Sequence, residues 1–353
     1  MSIGDRIKST RVRAGLSLRD LAEQVGVSAQ AISKYERELD VPGSSVLIKL
    51  ARALGVKVEY LMRPMTISLS APTYRSYKSK LRAQGEGIVQ EQVRDWLERY
   101  LGVETIVNGQ VVFRCPVMKH KVQTLDDIED VVLDLRATWK IGLDPIENLI
   151  GILEDHEIRV GVVDGVENFD ALTLFANDNL PVIVVKRDVP GDRQRLSIAH
   201  ELGHLVLDLP EDIDEEKAAY RFAGAFLAPK PSVFQELGKN RHRLDIYELH
   251  LLKHKYGMSM QAWIHRAHDL GILSKESAAR LYRNFSAKGW KKVEPGDPYP
   301  IEKTDRLERL VVRALAEDMI SDKRAEEFLG KSLKEFWKQA SKLHDDLPLP
   351  LYS

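Results

Sequence analysis

Apolar residues recur at helical spacing along most of this chain, and at strand spacing in only a few short stretches. Residues 3–62 divide into five short helical segments. Ser17-Leu-Arg-Asp20 and Ser28-Ala-Gln-Ala31 each set a serine before an apolar-periodic run, the pattern of a helix N-cap. Between them, Ala22, Gly26 and Ile32 provide a small residue, a turn glycine and a branched core residue, as two steeply crossing helices require. Residues 63–82 read as a linker. Val89, Val93, Trp96, Leu97 and Tyr100 predict a helix over 88–101. Asn108-Gly109, midway through 104–113, predicts a β-hairpin closed by a two-residue loop. Thr124-x-x-Asp127 caps a helix running through Trp139. Asp144-Pro145 opens another that ends near His156, where a helix C-terminus favours an imidazolium in a structural role.

Strands are predicted at 158–163 and 182–186, with Asn168-Phe-Asp-Ala171 between them. Residues 195–207 return to helical spacing, with Leu196, Ala199, Leu202 and Val206 on one side. A second helix follows over 214–229, its face rich in Ala219, Ala223 and Gly224, where backbones can approach closely. From 241 to 353 the pattern is again helical, broken by the Pro- and Gly-rich stretch 288–300. The expected fold class is therefore multidomain, mainly α with a small β-sheet. The boundaries fall into a five-helix module at 1–66, a linker and helix-hairpin connector at 67–114, an α+β domain at 115–235 and a helical region at 236–353.

Composition narrows the class. With 353 residues, 44% of them hydrophobic, the chain can bury sizeable cores in two or three domains. Its net charge of −1 excludes a global field that would draw in nucleic acid, so such binding needs a local patch. Residues 1–63 carry 11 basic against 7 acidic side chains and are that patch. No apolar run approaches the ~18 residues of a membrane span, and no signal-peptide core opens the chain. A single cysteine, Cys115, excludes an internal disulfide framework. Its Arg114-Cys115-Pro116 setting reads as structural rather than redox-active or metal-capping. A soluble cytoplasmic protein with no membrane partner is expected.

The chemistry is concentrated in His200-Glu201-x-x-His204. On a helix, residues four apart lie one above the other, so both imidazoles can grip one cation. Glu201, one step round, reaches a water beside that cation without ligating it. Borderline-soft Zn²⁺ suits two imidazoles better than Mg²⁺ or Ca²⁺. Gly203, unfavourable in mid-helix by ~1 kcal/mol relative to Ala, makes sense where another segment packs closely. An acid in the first turn of the 214–229 helix could complete a two-His, one-Glu site. His250 and His254 are also four apart but lack a neighbouring acid; they read as a solvated or core helix face, as do His265 and His268.

Taken with Glu216-x-x-Ala-x-x-Phe222-Ala-x-x-Phe226-Leu227-x-Pro229, this motif resembles the ImmA/IrrE family of zinc metallopeptidases. The resemblance implies a zincin-like peptidase domain over 115–235 with Glu216 as third zinc ligand. Glu215 is the second choice, and Ala218 and Tyr220 depart from the residues many members carry there. It further implies metal-assisted amide hydrolysis with Glu201 as general base. In such peptidases, the strand before the metal helix, here 181–186, runs along the cleft and pairs with an extended protein segment. Tyr256-Gly-Met-Ser-Met260 and His265-Arg-Ala-His-Asp-Leu-Gly271 resemble the region behind the peptidase in long fusions of this family. Residues 236–353 are accordingly expected to regulate or dimerise.

Residues 1–66 resemble the XRE/Cro-type helix-turn-helix, with the added match Ile32-Ser33-x-Tyr35-Glu36-Arg37…Val41-Pro42. The resemblance implies double-stranded DNA as partner. Ala29, Gln30, Ser33 and Lys34 would face bases in the major groove, and Ser17, Ser28 and Arg37 would hold phosphates. Pairing of half-sites would need a homodimer, which the sequence does not establish. The resulting expectation is a DNA-binding regulator whose zinc endopeptidase domain cuts a protein, a repressor or antitoxin-like regulator. The alternative is a transcriptional regulator or antitoxin whose metal domain senses a ligand or binds a partner without proteolysis.

Overall fold

A computed structural model describes residues 3–63, 66–70, 83–109, 115, 117–164 and 169–342. Five short helices come first: α1 (Ile3–Arg13), α2 (Leu18–Val25), α3 (Ala29–Glu36), α4 (Ser44–Ala53) and α5 (Val58–Met62). A long helix, α6 (Ala83–Asn108), is followed by β1 (His120–Lys121), α7 (Asp127–Thr138) and α8 (Leu149–Asp155). Three strands, β2 (Arg159–Val163), β3 (Ala171–Ala176) and β4 (Leu180–Lys186), lead to α9 (Gly191–Val206), β5 (Leu207–Asp208) and α10 (Glu215–Leu227). Then come α11 (Lys230–Leu237), α12 (Ile246–Tyr256), α13 (Met260–Asp269) and α14 (Lys275–Ala287). The last three helices are α15 (Arg306–Ala316), α16 (Asp322–Leu329) and α17 (Leu333–Lys342).

The chain divides into two compact units that differ from the four boundaries expected from sequence. One comprises Met1–Ser68, Gly87–Phe113 and Thr304–Ser353; the other comprises Leu69–Glu86 and Arg114–Lys303. The connector is thus not a separate element, and the C-terminal region is split at residue 303. Buried apolar contacts explain the first unit. Ile7, Leu21, Val25, Ile32, Leu50 and Leu61 form the core of α1–α5. Val103 of α6 shares a second core with Val311, Ala314, Ala325 and Phe328 of the last helices. Polar contacts tie α6 to the first module: Arg6 pairs with Glu98 at 2.5 Å, Arg13 with Asp95 at 2.6 Å, and the Tyr60 hydroxyl donates to Asp95 at 2.7 Å. The predicted hairpin does not form. Residues 104–108 continue α6, and Gly109, at φ +85°, ends it. Burial of Val103 with the last helices outweighs the local turn signal of Asn108-Gly109; residues 110–113 lie outside the described ones.

In the second unit the sheet order is β2-β4-β3. β2 pairs parallel with β4, from Arg159↔Val182 to Val163↔Lys186, and β3 pairs antiparallel, with Thr173 opposite Ile183. β4, buried along nearly its whole length, is therefore the central strand. With both edges paired it cannot take a substrate strand, which corrects the role expected for 181–186. The edge strands are β2 and β3, and the hydrophobic pattern missed β3. Helix α8 also starts later than expected, because Asn148 Oδ1 accepts from Gly151 N at 2.8 Å and caps it there. His156 stacks on Trp139 with ring centroids 4.2 Å apart, and burial lowers its pKa. The imidazolium expected there is disfavoured. Residues 288–300 form no regular element but are tied down: Glu294 accepts from Met260 N and Gln261 N, both at 3.0 Å, capping α13.

Helices α7, α10 and α13 meet at a buried carboxylate. Glu129, 3% exposed, accepts from Arg266 at 2.5 and 2.6 Å and from Arg221 at 2.8 Å. Removing one partner of such a pair leaves the other buried and uncompensated. Glu129→Ala is therefore expected to destabilise this unit by about 3–5 kcal/mol, read as a lower denaturant midpoint; an unchanged midpoint would contradict the role given to this carboxylate.

Candidate metal centre and nucleic-acid interface

His200, Glu201 and His204 lie in the last half of α9, and α10 runs against it. The approach is close at Gly203, where an added Cβ would sit 3.2 Å from Ala219 Cα and 3.2 Å from Phe222 Cδ1. A Cβ there would be tighter than most packed contacts, and this proximity brings the first turn of α10 beside the histidines. Asp214 caps α10, its Oδ1 accepting from Lys217 N at 3.0 Å, and so sets the phase of the two glutamates that follow.

Three ligand-capable side chains converge there. His200 Nε2 and His204 Nε2 are 3.1 Å apart, and Glu216 lies 3.4 Å from the first and 3.6 Å from the second. Ligand atoms of these three residues all fall within 4.8 Å of one another. A tetrahedral zinc with bonds of about 2.0–2.2 Å separates its ligands by about 3.3–3.5 Å, so this donor set fits such an ion. Glu215 is placed differently. Its carboxylate lies 3.2 Å from His204 Nδ1, on the far side of that ring. His200 Nδ1 is buried with no hydrogen-bond partner among the described residues.

Glu201 is not among the three converging ligands and is held separately. Thr173 Oγ1, from β3, donates to its Oε2 at 2.8 Å. Burial pushes the Glu201 carboxyl up, against the pull of His204, His200 and the Thr173 hydroxyl. A hydrogen bond to His200 instead holds the Glu216 carboxyl below its ordinary range. The Tyr220 ring, one turn beyond Glu216, lies against His200 with centroids 4.3 Å apart. A cleft of about 710 Å³ opens here, lined by Thr173, Phe175, Gly203, His204, Glu215 and Cys115 among others. Cys115 is exposed on this cleft rather than packed in a core, which differs from its structural reading. Sequence reasoning missed Thr173 and Tyr220. The alternation of Leu172 and Leu174 around Thr173 was the available signal for the strand.

The seven residues expected to meet DNA all lie at the surface of the first module. Ser17 and Ser28 are N-caps, accepting from Asp20 N and Ala31 N at 3.2 and 3.1 Å. Gln30, Lys34 and Arg37 are exposed, whereas Ala29 and Ser33 are half-buried beside them. A residue not singled out holds this helix: Glu36, buried, pairs with Arg11 of α1 at 2.6 and 2.9 Å. The rings of His250 and His254 meet edge-on with centroids 4.6 Å apart, and no acid joins them in a metal-holding group among the described residues.

Comparison with known proteins bears on both modules. Residues 7–61 match the helix-turn-helix family model, and residues 154–268 match the model of the IrrE N-terminal-like domain of the M78 peptidases. Among curated relatives, the HTH-type transcriptional regulator ImmR of Bacillus subtilis (strain 168) is 34% identical over 62 residues, 18% of this chain and 49% of that one. An uncharacterized HTH-type transcriptional regulator of Mycobacterium tuberculosis (strain CDC 1551 / Oshkosh) is 46% identical over 58 residues, 16% of this chain and 41% of that one. The match thus spans less than half the length of these two relatives. The HTH-type transcriptional regulator SinR of Bacillus licheniformis is 31% identical over 99 residues, which is 27% of this chain and 89% of SinR. With the helix-turn-helix in place and the second domain matched, the chain belongs to the DNA-binding, XRE-type transcriptional regulators and carries an ImmA/IrrE-like domain of the M78 peptidase family.

Proposed function

We propose that the second unit is a zinc endopeptidase, delivered to a promoter by the first, whose substrate is a repressor or antitoxin-like regulator. The observation that carries this reading is the convergence of His200 Nε2, His204 Nε2 and the Glu216 carboxylate beside a fourth, separately held carboxyl, Glu201. His200, His204 and Glu216 would hold the ion. When bound, Zn²⁺ supplies Lewis acidity, polarising a carbonyl and lowering the pKa of water. Glu215, hydrogen-bonded to the outer nitrogen of His204, orients that ring and is a positioning residue rather than a ligand.

Glu201 acts as the proton carrier. Thr173 holds Oε2, which leaves Oε1 to accept the proton of the attacking water and return it to the leaving amine. Desolvation raises the basicity that this transfer needs. The backbone of β3 is the surface on which an extended segment would lie. Phe175 exchanges hydrogen bonds with Ser70, through its carbonyl to Ser70 N at 2.9 Å and its N–H to Ser70 Oγ at 3.0 Å. Its backbone therefore faces away from β4, and by strand alternation so do those of Thr173 and Ala171. A substrate paired there passes directly beside Glu201. Gln30 and Lys34, both exposed on α3, would read adenine and guanine in the operator. Tethering a peptidase to DNA raises its concentration near other regulators of the same promoter.

Two measurements test this. Glu201→Gln is expected to retain about one zinc per chain while cleavage of a co-incubated regulator from the neighbouring genes disappears. A zinc-free variant, or undiminished cleavage, sinks the assigned role; DNA binding with no metal-dependent fragment from any partner supports the sensor reading instead. In a chelator competition, Glu215→Ala is expected to weaken zinc binding about 10–100-fold, whereas Glu216→Ala loses stoichiometric zinc. If the two variants exchange these behaviours, the ligand is Glu215.

A further inference from the structure

In the first unit the helix caps and glycine stop of α2 and α3 recur in α16 and α17. In the first copy Ser17 caps α2 by accepting from Asp20 N, Gly26 ends it at φ 75° with its N–H on Ala22 O, and Ser28 caps α3 by accepting from Ala31 N. In the last helices Ser321 caps α16 by accepting from Arg324 N, and Gly330 ends it at φ 69° with its N–H on Glu326 O. Ser332 then accepts from Glu335 N at 3.2 Å and opens α17. The paired positions are 17 and 321, 20 and 324, 22 and 326, 26 and 330, 28 and 332, 31 and 335, all at one constant offset. α2 and α16 are both eight residues long, and a helix of eleven residues precedes each pair. The core positions repeat in the same register: Leu21, Val25 and Ile32 correspond to Ala325, Leu329 and Phe336, all buried. Two positions do not repeat. Exposed Gln24 of the first copy corresponds to buried Phe328 of the second. Where the first copy has buried Ala22, the second has Glu326, whose carboxylate accepts from Leu333 N at 3.1 Å and adds a second cap to α17.

We infer that α16 and α17 form a second DNA-binding module, with α17 the helix that approaches the duplex. Internal packing needs only the buried face, Ala325, Phe328, Leu329 and Phe336, and leaves the outward face free to be of any character. That face is basic. The positions matching Gln30 and Lys34 of the first module are Lys334 and Lys338, and both are exposed. Exposed Gln339 follows Lys338, and exposed Glu335 is the one acid beside them. Over 321–342 the chain carries six basic side chains against four acidic ones. Lys334 and Lys338, four apart on one helix face, suit two phosphates or a phosphate and a guanine edge. Two such modules in one chain would engage a longer stretch of duplex than the first alone.

The experiment is a salt titration of the full-length protein on a fluorescent, mixed-sequence duplex about three helical turns long. Each lysine that neutralises a phosphate contributes about 0.9 to the slope of log affinity against log salt. The double substitution Lys334→Gln/Lys338→Gln is expected to lower that slope by about 1.8 and the low-salt affinity about ten-fold or more. The same decrement is expected in a Gln30→Ala/Lys34→Ala background, where the first module is already weakened. A control pair, Lys239→Gln/Lys291→Gln, removes the same charge from exposed positions of the other unit and should leave the slope unchanged. Both test lysines are exposed, so the thermal midpoint should hold, and circular dichroism checks it. An unchanged slope in the test pair, or an equal fall in the control pair, overturns the inference and leaves α16 and α17 a packing or protein-docking element.

Discussion

The approach of α9 to α10 at Gly203 is the constraint on which the candidate metal site depends. A side chain at that position would meet the backbone of Ala219 and the ring of Phe222. Its neighbours would have to shift by a few tenths of an ångström, at the seam that sets the spacing of the donor atoms. The histidines are one helical turn apart on α9, and the acid is in the first turn of α10. Their convergence is therefore a property of interhelical distance and phase, not of the His-Glu-x-x-His string alone. The same seam separates the two glutamates by role. Adjacent residues on a helix point about a hundred degrees apart, so Glu216 enters the triangle while Glu215 reaches the outer nitrogen of His204. The sheet acts from the other side. Because β3 is an edge strand, its Thr173 can hold Glu201 while its backbone faces outward.

Buried guanidinium groups fix the elements around that seam. Arg266 and Arg221 share Glu129, and Arg195 of α9 pairs with Glu302 and donates to Ile146 O at 2.7 Å. Arg136 has no carboxylate partner of this kind; it donates to the carbonyls of Gly142, Phe226 and Asp144 at 2.7, 2.6 and 2.5 Å. Burial lowers its pKa to about 10, leaving the group charged at neutral pH. These contacts satisfy carbonyls at helix ends and in turns that water cannot reach. Such groups add little net stability compared with apolar replacements, but they are unforgiving of misplacement. They define one arrangement of α7, α9, α10 and α13, and with it one geometry for the site.

How much of this was legible in the sequence depended on the range of the interaction. Short-range features read well. The serine caps of α2 and α3, Asp214 before α10, and the four-residue spacing of His200 and His204 lie within one or two turns. Asn108-Gly109 misled because it signals both a hairpin and a helix end, and only the contact of Val103 with residues more than two hundred positions away decides between them. Glu302 was equally invisible: its carboxylate accepts from Leu149 N at 3.1 Å across 153 positions. The central placement of β4 followed from β3, whose six residues carry too weak a pattern to be seen beside the apolar run of β4. Helix phase near a cap could not separate Glu215 from Glu216; only the family resemblance put Glu216 first.

The division of the chain bears on how the two activities are linked. Residues 69–86 and 114–303 belong to one unit and everything else to the other, so the polypeptide passes between them at 68/69, 86/87, 113/114 and 303/304. A regulator fused to an enzyme by one flexible linker explores a volume set by that linker's length. The DNA-binding unit is assembled from both ends of the chain, with α6 between its two apolar cores. Neither unit can be cut away at a single point and leave the other with all its residues. Separate fragments are therefore poor tests of either unit, and the intact chain is the object in which DNA binding and the proposed peptidase chemistry have to be measured together.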